Sequence, residues 1–157
     1  GTFESDIRPL MPALQSNWLS IHVMTCLLGY GGFAVSAVGA VGFLIADRRG
    51  SAVTPGTKDM LETLLAQTIA FGFLFLTLGI LTGAVWANSA WGAYWQWDPK
   101  ETWSLITWFV YAVFLHCRLM RGWRGRRAAW ISLIGFACVL FTFIGVNYLL
   151  SGLHSYA

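Results

Sequence analysis

Four long apolar runs dominate this chain of 157 residues and leave it few ways to fold. They begin near Trp18, Met60, Pro99 and Ala128, and short polar stretches part them. A helix crosses the hydrocarbon core of a bilayer with roughly 20 apolar residues, because lipid offers no partner to an unpaired backbone N–H or C=O. Composition agrees: 57% of the residues are hydrophobic and only 11% charged, where a soluble domain carries about 25% charged. The expectation is an all-α, polytopic transmembrane bundle, one membrane-embedded domain over 1–157, with helices at about 18–46, 60–87, 99–119 and 128–150. The chain starts at Gly1 and shows no cleavable leader, so four helices are expected to be a lower bound for the parent protein.

Helix 1 would be on the order of 43 Å long, more than the ~30 Å hydrocarbon core, so it must tilt, bend or protrude. Gly29, Gly32, Ser36, Gly39 and Gly42 recur along it and favour close helix packing. Gly79 and Gly83 make a similar small pair in helix 2, read as a packing signal alone. Helix 3 has the clearest start. Asp98 suits an N-cap, Pro99 the first helical position, and Glu101 the reciprocal place of a capping box. Cys26, Cys117 and Cys138 lie far apart in apolar runs, which favours packing over thiol redox or zinc chemistry.

Charge orients the bundle. The connections between helices 1 and 2 and between helices 3 and 4 hold Arg48, Arg49, Lys58, Arg118, Arg121, Arg124, Arg126 and Arg127. The remaining cations are Arg8 and Lys100. By the positive-inside rule the first group is cytoplasmic or stromal, and both termini and the loop 88–98 face the periplasm or lumen. A bacterial inner membrane and a thylakoid membrane fit equally, and no nucleic-acid partner is expected.

That outer loop is the unusual stretch. Between Trp86 and Trp103 stand five of the chain's nine tryptophans. Trp18, Trp123 and Trp130 flank helices and read as interfacial anchors, and Trp108 reads as packing. Trp91, Trp95 and Trp97 share a short loop with Gly92 and Tyr94, a density that a belt does not require. Such a cluster can anchor helices or form a flat platform for a large planar ligand. The histidines sort by depth. His22, near the outer end of helix 1, and His154, just past the outer end of helix 4, share the level of the tryptophans. Two imidazoles can take the two axial positions of a haem iron. Equally, His22 can be a satisfied polar residue in a bundle and His154 merely solvated. His116 lies seventeen residues after Pro99, roughly 25 Å deeper, and cannot share a metal with the other two. It is either a functional ionisable group at the inner side or a helix-end histidine favoured by the helix dipole.

The run from Trp91 to Trp103, Trp-Gly-Ala-Tyr-Trp-Gln-Trp-Asp-Pro-Lys-Glu-Thr-Trp, resembles the tryptophan-rich WWD signature of the haem-handling family. Its continuation through Leu105, Ile106, Thr107 and Trp108 is similar to the CcsA-type (ResC-like) cytochrome c biogenesis branch. The resemblance extends to Asn17-Trp18-Leu19 with His22, to Leu115-His116-Cys117-Arg118, and to Gly152-Leu153-His154-Ser155-Tyr156. It implies a membrane protein that works with a CcsB (ResB-like) partner to move haem b across the membrane. There the haem is presented for thioether attachment to the Cys-x-x-Cys-His motif of apocytochrome c, so the chain would be part of a haem lyase complex. It also implies that His22 and His154 ligate haem at the outer face, that Trp91, Trp95, Trp97 and Trp103 line the porphyrin, and that His116 serves an intramembrane haem site completed by the partner. Family members carry further helices before the one that matches His22, so a C-terminal piece of a longer protein is implied. Two other readings remain at this point: a haem exporter or delivery protein without ligation activity, and a non-catalytic membrane scaffold whose tryptophans form a belt.

Overall fold

The computed structural model describes residues 16–50 and 54–150. The described chain forms α1 (Asn17–Arg48), α2 (Pro55–Trp91), α3 (Pro99–Arg121) and α4 (Arg126–Leu140), then a π-helical turn (Phe141–Gly145) and a short α5 (Val146–Leu149). Four helical segments are long and apolar enough to cross a membrane, the last running through Arg126–Leu149. The chain is an all-α integral membrane protein.

Each terminus has a local cause. Ser16 caps α1 by accepting a hydrogen bond from Trp18 N at 3.2 Å. Asp98 caps α3 by accepting from Lys100 N at 3.1 Å, and Glu101 completes the capping box. Gly122, with φ 62°, ends α3 in the left-handed conformation that glycine adopts without steric cost. Two boundaries differ from the apolar pattern. Helix α2 starts at Pro55, where Pro takes the first-turn position, and continues to Trp91, where Gly92 (φ 77°) stops it. Asn88, Ser89, Ala90 and Trp91 therefore belong to the helix, and the expected loop 88–98 shrinks to 92–98. Polarity suggested a loop there, but nothing before Gly92 breaks a helix. The expected single helix 128–150 is also interrupted, by the π turn at Phe141–Gly145.

The packing order fixes the topology. A Cβ on Gly29 would fall 3.0 Å from Leu76 N, and one on Gly32 would fall 2.9 Å from Thr68 O. Further along, Gly42 faces Leu61. As α1 advances α2 recedes, so the two are antiparallel and meet backbone to backbone, as small residues permit. On α3 and α4, Thr107 pairs with Thr142 at 3.3 Å while Tyr111 reaches Ser132 O at 3.5 Å, again antiparallel.

All four helices converge on one layer. Phe33 of α1 stacks on Tyr111 of α3 with ring centroids 3.7 Å apart and planes 2° apart. Both rings are fully buried. Each sits against a glycine: a Cβ on Gly72 of α2 would lie 2.7 Å from Phe33, and one on Gly135 of α4 would lie 2.6 Å from Tyr111. Ser36 and Ser132 hydrogen-bond beside them at 3.1 Å. Below this layer, at the basic end, Asp47 binds Lys58 at 3.4 Å and Arg126 at 3.6 Å, linking the ends of α1, α2 and α4. Solvent-accessible pairs of this kind contribute little, about 0–1 kcal/mol. The opposite end carries the aromatic loop.

Candidate functional site

At the aromatic end, α1, α2, the start of α3 and the π turn enclose a cavity of about 270 Å³. That lies near the lower bound of about 300 Å³ usual for small-molecule pockets. Its wall is mostly apolar and aromatic, with Tyr30, Ile80, Trp86, Tyr94, Trp95 and Phe143 among the lining residues. The polar lining comes from His22, Lys100, Glu101, Ser104 and Thr142.

His22 sits in the second turn of α1, held by α2. Its Nδ1 lies 2.7 Å from Gly79 O. A carbonyl only accepts, so Nδ1 carries the proton in that contact, and in the neutral ring Nε2 then carries the lone pair. A backbone carbonyl on the second ring nitrogen is the usual way a ligating imidazole is oriented. The ring also rests on Gly83, where a Cβ would come within 2.7 Å of Cε1 and Nδ1. One turn on, the thiol of Cys26 lies 3.7 Å from Nδ1, and a Cβ on Gly79 would come within 2.6 Å of it. The Gly79 and Gly83 pair, which reads in sequence as helix packing alone, is thus the seat for His22 and Cys26.

The loop 92–98 is shaped by the helix that follows it. Glu101 Oε2 accepts from Gln96 N at 2.9 Å and from Asp98 N at 3.2 Å. Between those two amides stands Trp97 with φ 57°. A bulky residue in the left-handed region is a true outlier, costing on the order of 1–3 kcal/mol. One carboxylate oxygen therefore clamps the backbone on both sides of the strained residue. Trp97 O also accepts from Thr102 Oγ1 at 3.4 Å. The rings of Trp95 and Trp97 then meet edge to face with centroids 5.7 Å apart.

The expected platform is distributed unevenly. Of the four tryptophans, Trp95 lines the cavity. Trp97 packs against it and is 68% exposed. Trp91 meets Trp86 edge on at 4.8 Å, and Trp103 packs on Phe141 at 4.2 Å. Sequence reasoning missed Trp86 and Tyr94 as cavity residues. Trp86 was hidden by its place inside an apolar helix; Tyr94 stands within the aromatic run itself. The π turn also contributes, since Thr142 and Phe143 belong to the wall. Such turns inside α-helices are frequent at functional sites. Thr142 Oγ1 donates to Cys138 O at 2.8 Å.

His154 lies outside the described residues. His116 does not line the cavity and is exposed on α3, in its last turns before Arg121. The structure thus separates His116 from His22. Among the described residues no three His, Cys, Asp or Glu side chains gather as a metal site. Trp108, read as packing, donates its Nε1–H to Thr77 Oγ1 at 2.9 Å and packs on Phe73.

Fold and cavity together define a class: polytopic helical membrane proteins with an aromatic-walled cavity and a seated imidazole at one end of the bundle. The chain belongs to the cytochrome c assembly protein family, whose model matches residues 2–154. It is similar to the cytochrome c biogenesis protein CcsA of Chlamydomonas reinhardtii, 49% identical over 152 residues, covering 94% of this chain and 43% of that protein. The same named protein in Gloeobacter violaceus is 41% identical over 204 residues, covering 94% of this chain and 60% of the relative. In Mesostigma viride the figures are 41% identity over 175 residues, with 94% and 57% covered. The chain therefore spans 43–60% of the length of these relatives.

Proposed function

We propose that this chain is the haem-handling portion of a cytochrome c maturation protein, with haem b as its substrate, held at the outer face for delivery to apocytochrome c. The observation that carries this reading is His22: an imidazole fixed through Nδ1 to Gly79 O, in the wall of a cavity that Trp95, Trp86 and Tyr94 also line. Family membership and the likeness to cytochrome c biogenesis proteins support it. An imidazole among aromatic walls suits an iron that brings its own macrocycle. His154 would supply the second axial imidazole. Trp95 would touch the porphyrin, with Trp97, Trp91 and Trp103 holding the surrounding rings in place.

Attachment itself, the addition of two substrate thiols across two vinyl groups, is chemistry of the haem and the apocytochrome. The protein's residues would hold the ring, orient it and keep water from it. The incoming histidine of Cys-x-x-Cys-His would replace one protein imidazole. His116, exposed on α3, would serve a separate haem site nearer the basic end, completed by a CcsB-type (ResB-like) partner. The basic end would face the cytoplasm or stroma and the aromatic end the periplasm or lumen.

Absorption spectra of the purified full-length protein test the outer site. His22→Ala and His154→Ala should each strip most of the haem or leave it with one protein imidazole; a bis-imidazole spectrum unchanged in either variant rejects the assignment. In the same series, His116→Ala should lower haem loaded in cells while the outer site still binds haem added outside. Full loading by His116→Ala in cells removes the inner role. A reconstituted assay with apocytochrome peptide separates ligation from simple delivery.

A further inference from the structure

The cavity that holds His22 also contains a cation. Lys100, the second residue of α3, lines the wall and is half-buried. Its Nζ donates to Asn147 Oδ1 at 2.8 Å, a neutral amide from the helix beyond the π turn. Among the described residues no carboxylate lies within 4.0 Å of Nζ, although Asp98 and Glu101 flank it in sequence. Both acids are engaged elsewhere. Asp98 caps α3 through Lys100 N, and Glu101 Oε2 accepts from the loop amides of Gln96 and Asp98. The capping arrangement thus holds the neighbouring acids on the backbone and leaves the ammonium with an amide for a partner. A cationic donor in a wall otherwise largely apolar makes a place for an anionic acceptor on an otherwise apolar ligand. A charged acceptor makes a stronger hydrogen bond to an ammonium than a neutral amide does.

We propose that Lys100 binds a carboxylate of the ligand in this cavity. Resting on the reading of the cavity as a tetrapyrrole site, this assigns Lys100 to a propionate and gives the ring its orientation: carboxylate edge toward the start of α3. Asn147 is the holder of the ammonium in the ligand-free protein and exchanges it for the carboxylate. Its place opposite Lys100 depends on the π turn, which adds a residue per turn and rotates everything after it relative to a continuous α-helix.

The test is a binding cycle with the full-length protein in phosphatidylcholine nanodiscs, using haem and haem dimethyl ester as the two ligands. Esterification removes the charge and keeps iron and ring. Wild-type protein should bind haem at least about tenfold more tightly than the diester, the range of a charge-assisted hydrogen bond. Lys100→Gln should lose that preference by weakening haem and leaving the diester unchanged, and the retained diester affinity shows that the variant folds. Lys100→Arg should keep most of the preference. Equal wild-type affinity for both ligands overturns the lysine contact while the tetrapyrrole site stands, and so does an equal loss of both in Lys100→Gln. Wild-type protein that binds neither ligand overturns the site and the contact together.

Discussion

A single missing methyl group decides where His22 can sit. Gly83 offers the ring a surface that any other residue would fill, since a Cβ there would lie 2.7 Å from the imidazole. Overpacking of this kind costs typically 1–3 kcal/mol, relieved here only by moving the ring. Gly83→Ala should therefore tilt His22 off Gly79 O and weaken haem binding about tenfold or more, read from an absorption titration. Unchanged affinity and spectrum in Gly83→Ala would mean that the imidazole is not held by this contact. Gly31, where a Cβ would meet nothing within 4 Å, is the control: Gly31→Ala should bind as wild type.

Among the elements, the short run from Asp98 to Thr102 has two tasks. It starts α3, and it also folds the loop before it through Glu101 and Thr102. Replacing Glu101 removes the reciprocal half of the capping box and releases two loop amides beside a strained tryptophan. Glu101→Ala should lower thermal stability modestly and free the Trp95 and Trp97 pair, seen as faster proteolysis within 92–98 and a shifted tryptophan emission. Protease resistance equal to wild type would show that the loop holds its shape without this carboxylate. Sequence legibility differs among these elements. The capping box was readable because its residues are local and their spacing is fixed by helix geometry. The four spans were readable because lipid demands them. The end of α2 was not, because Asn88 and Ser89 are polar yet helix-compatible, and only Gly92 stops the helix. The π turn gave no signal, since Phe141–Gly145 reads like any apolar segment. Which tryptophan lines the cavity depends on rotation about α2 and on Trp97's positive φ, and neither is written in composition or spacing.

At the scale of the whole molecule, the two ends of the bundle differ sharply: ion pairs and arginines at one, indoles and a cavity at the other. Helix α2, at 37 residues, is roughly 55 Å long and overshoots a ~30 Å hydrocarbon core. The proposed orientation is checked by single cysteines at Tyr94 and Arg124, in a background with the native cysteines removed. A membrane-impermeant maleimide added from the periplasmic or lumenal side should label Tyr94→Cys and spare Arg124→Cys; the reverse pattern inverts the orientation. The layer formed by Phe33 and Tyr111 on Gly72 and Gly135 has a different consequence. Rings 3.7 Å apart, closed on both sides by backbone, fill the space between the four described helices at mid-height. Under the proposed function, a flat cargo wider than a side chain would travel around the outside of this stack, along a flank such as the one where α3 displays His116.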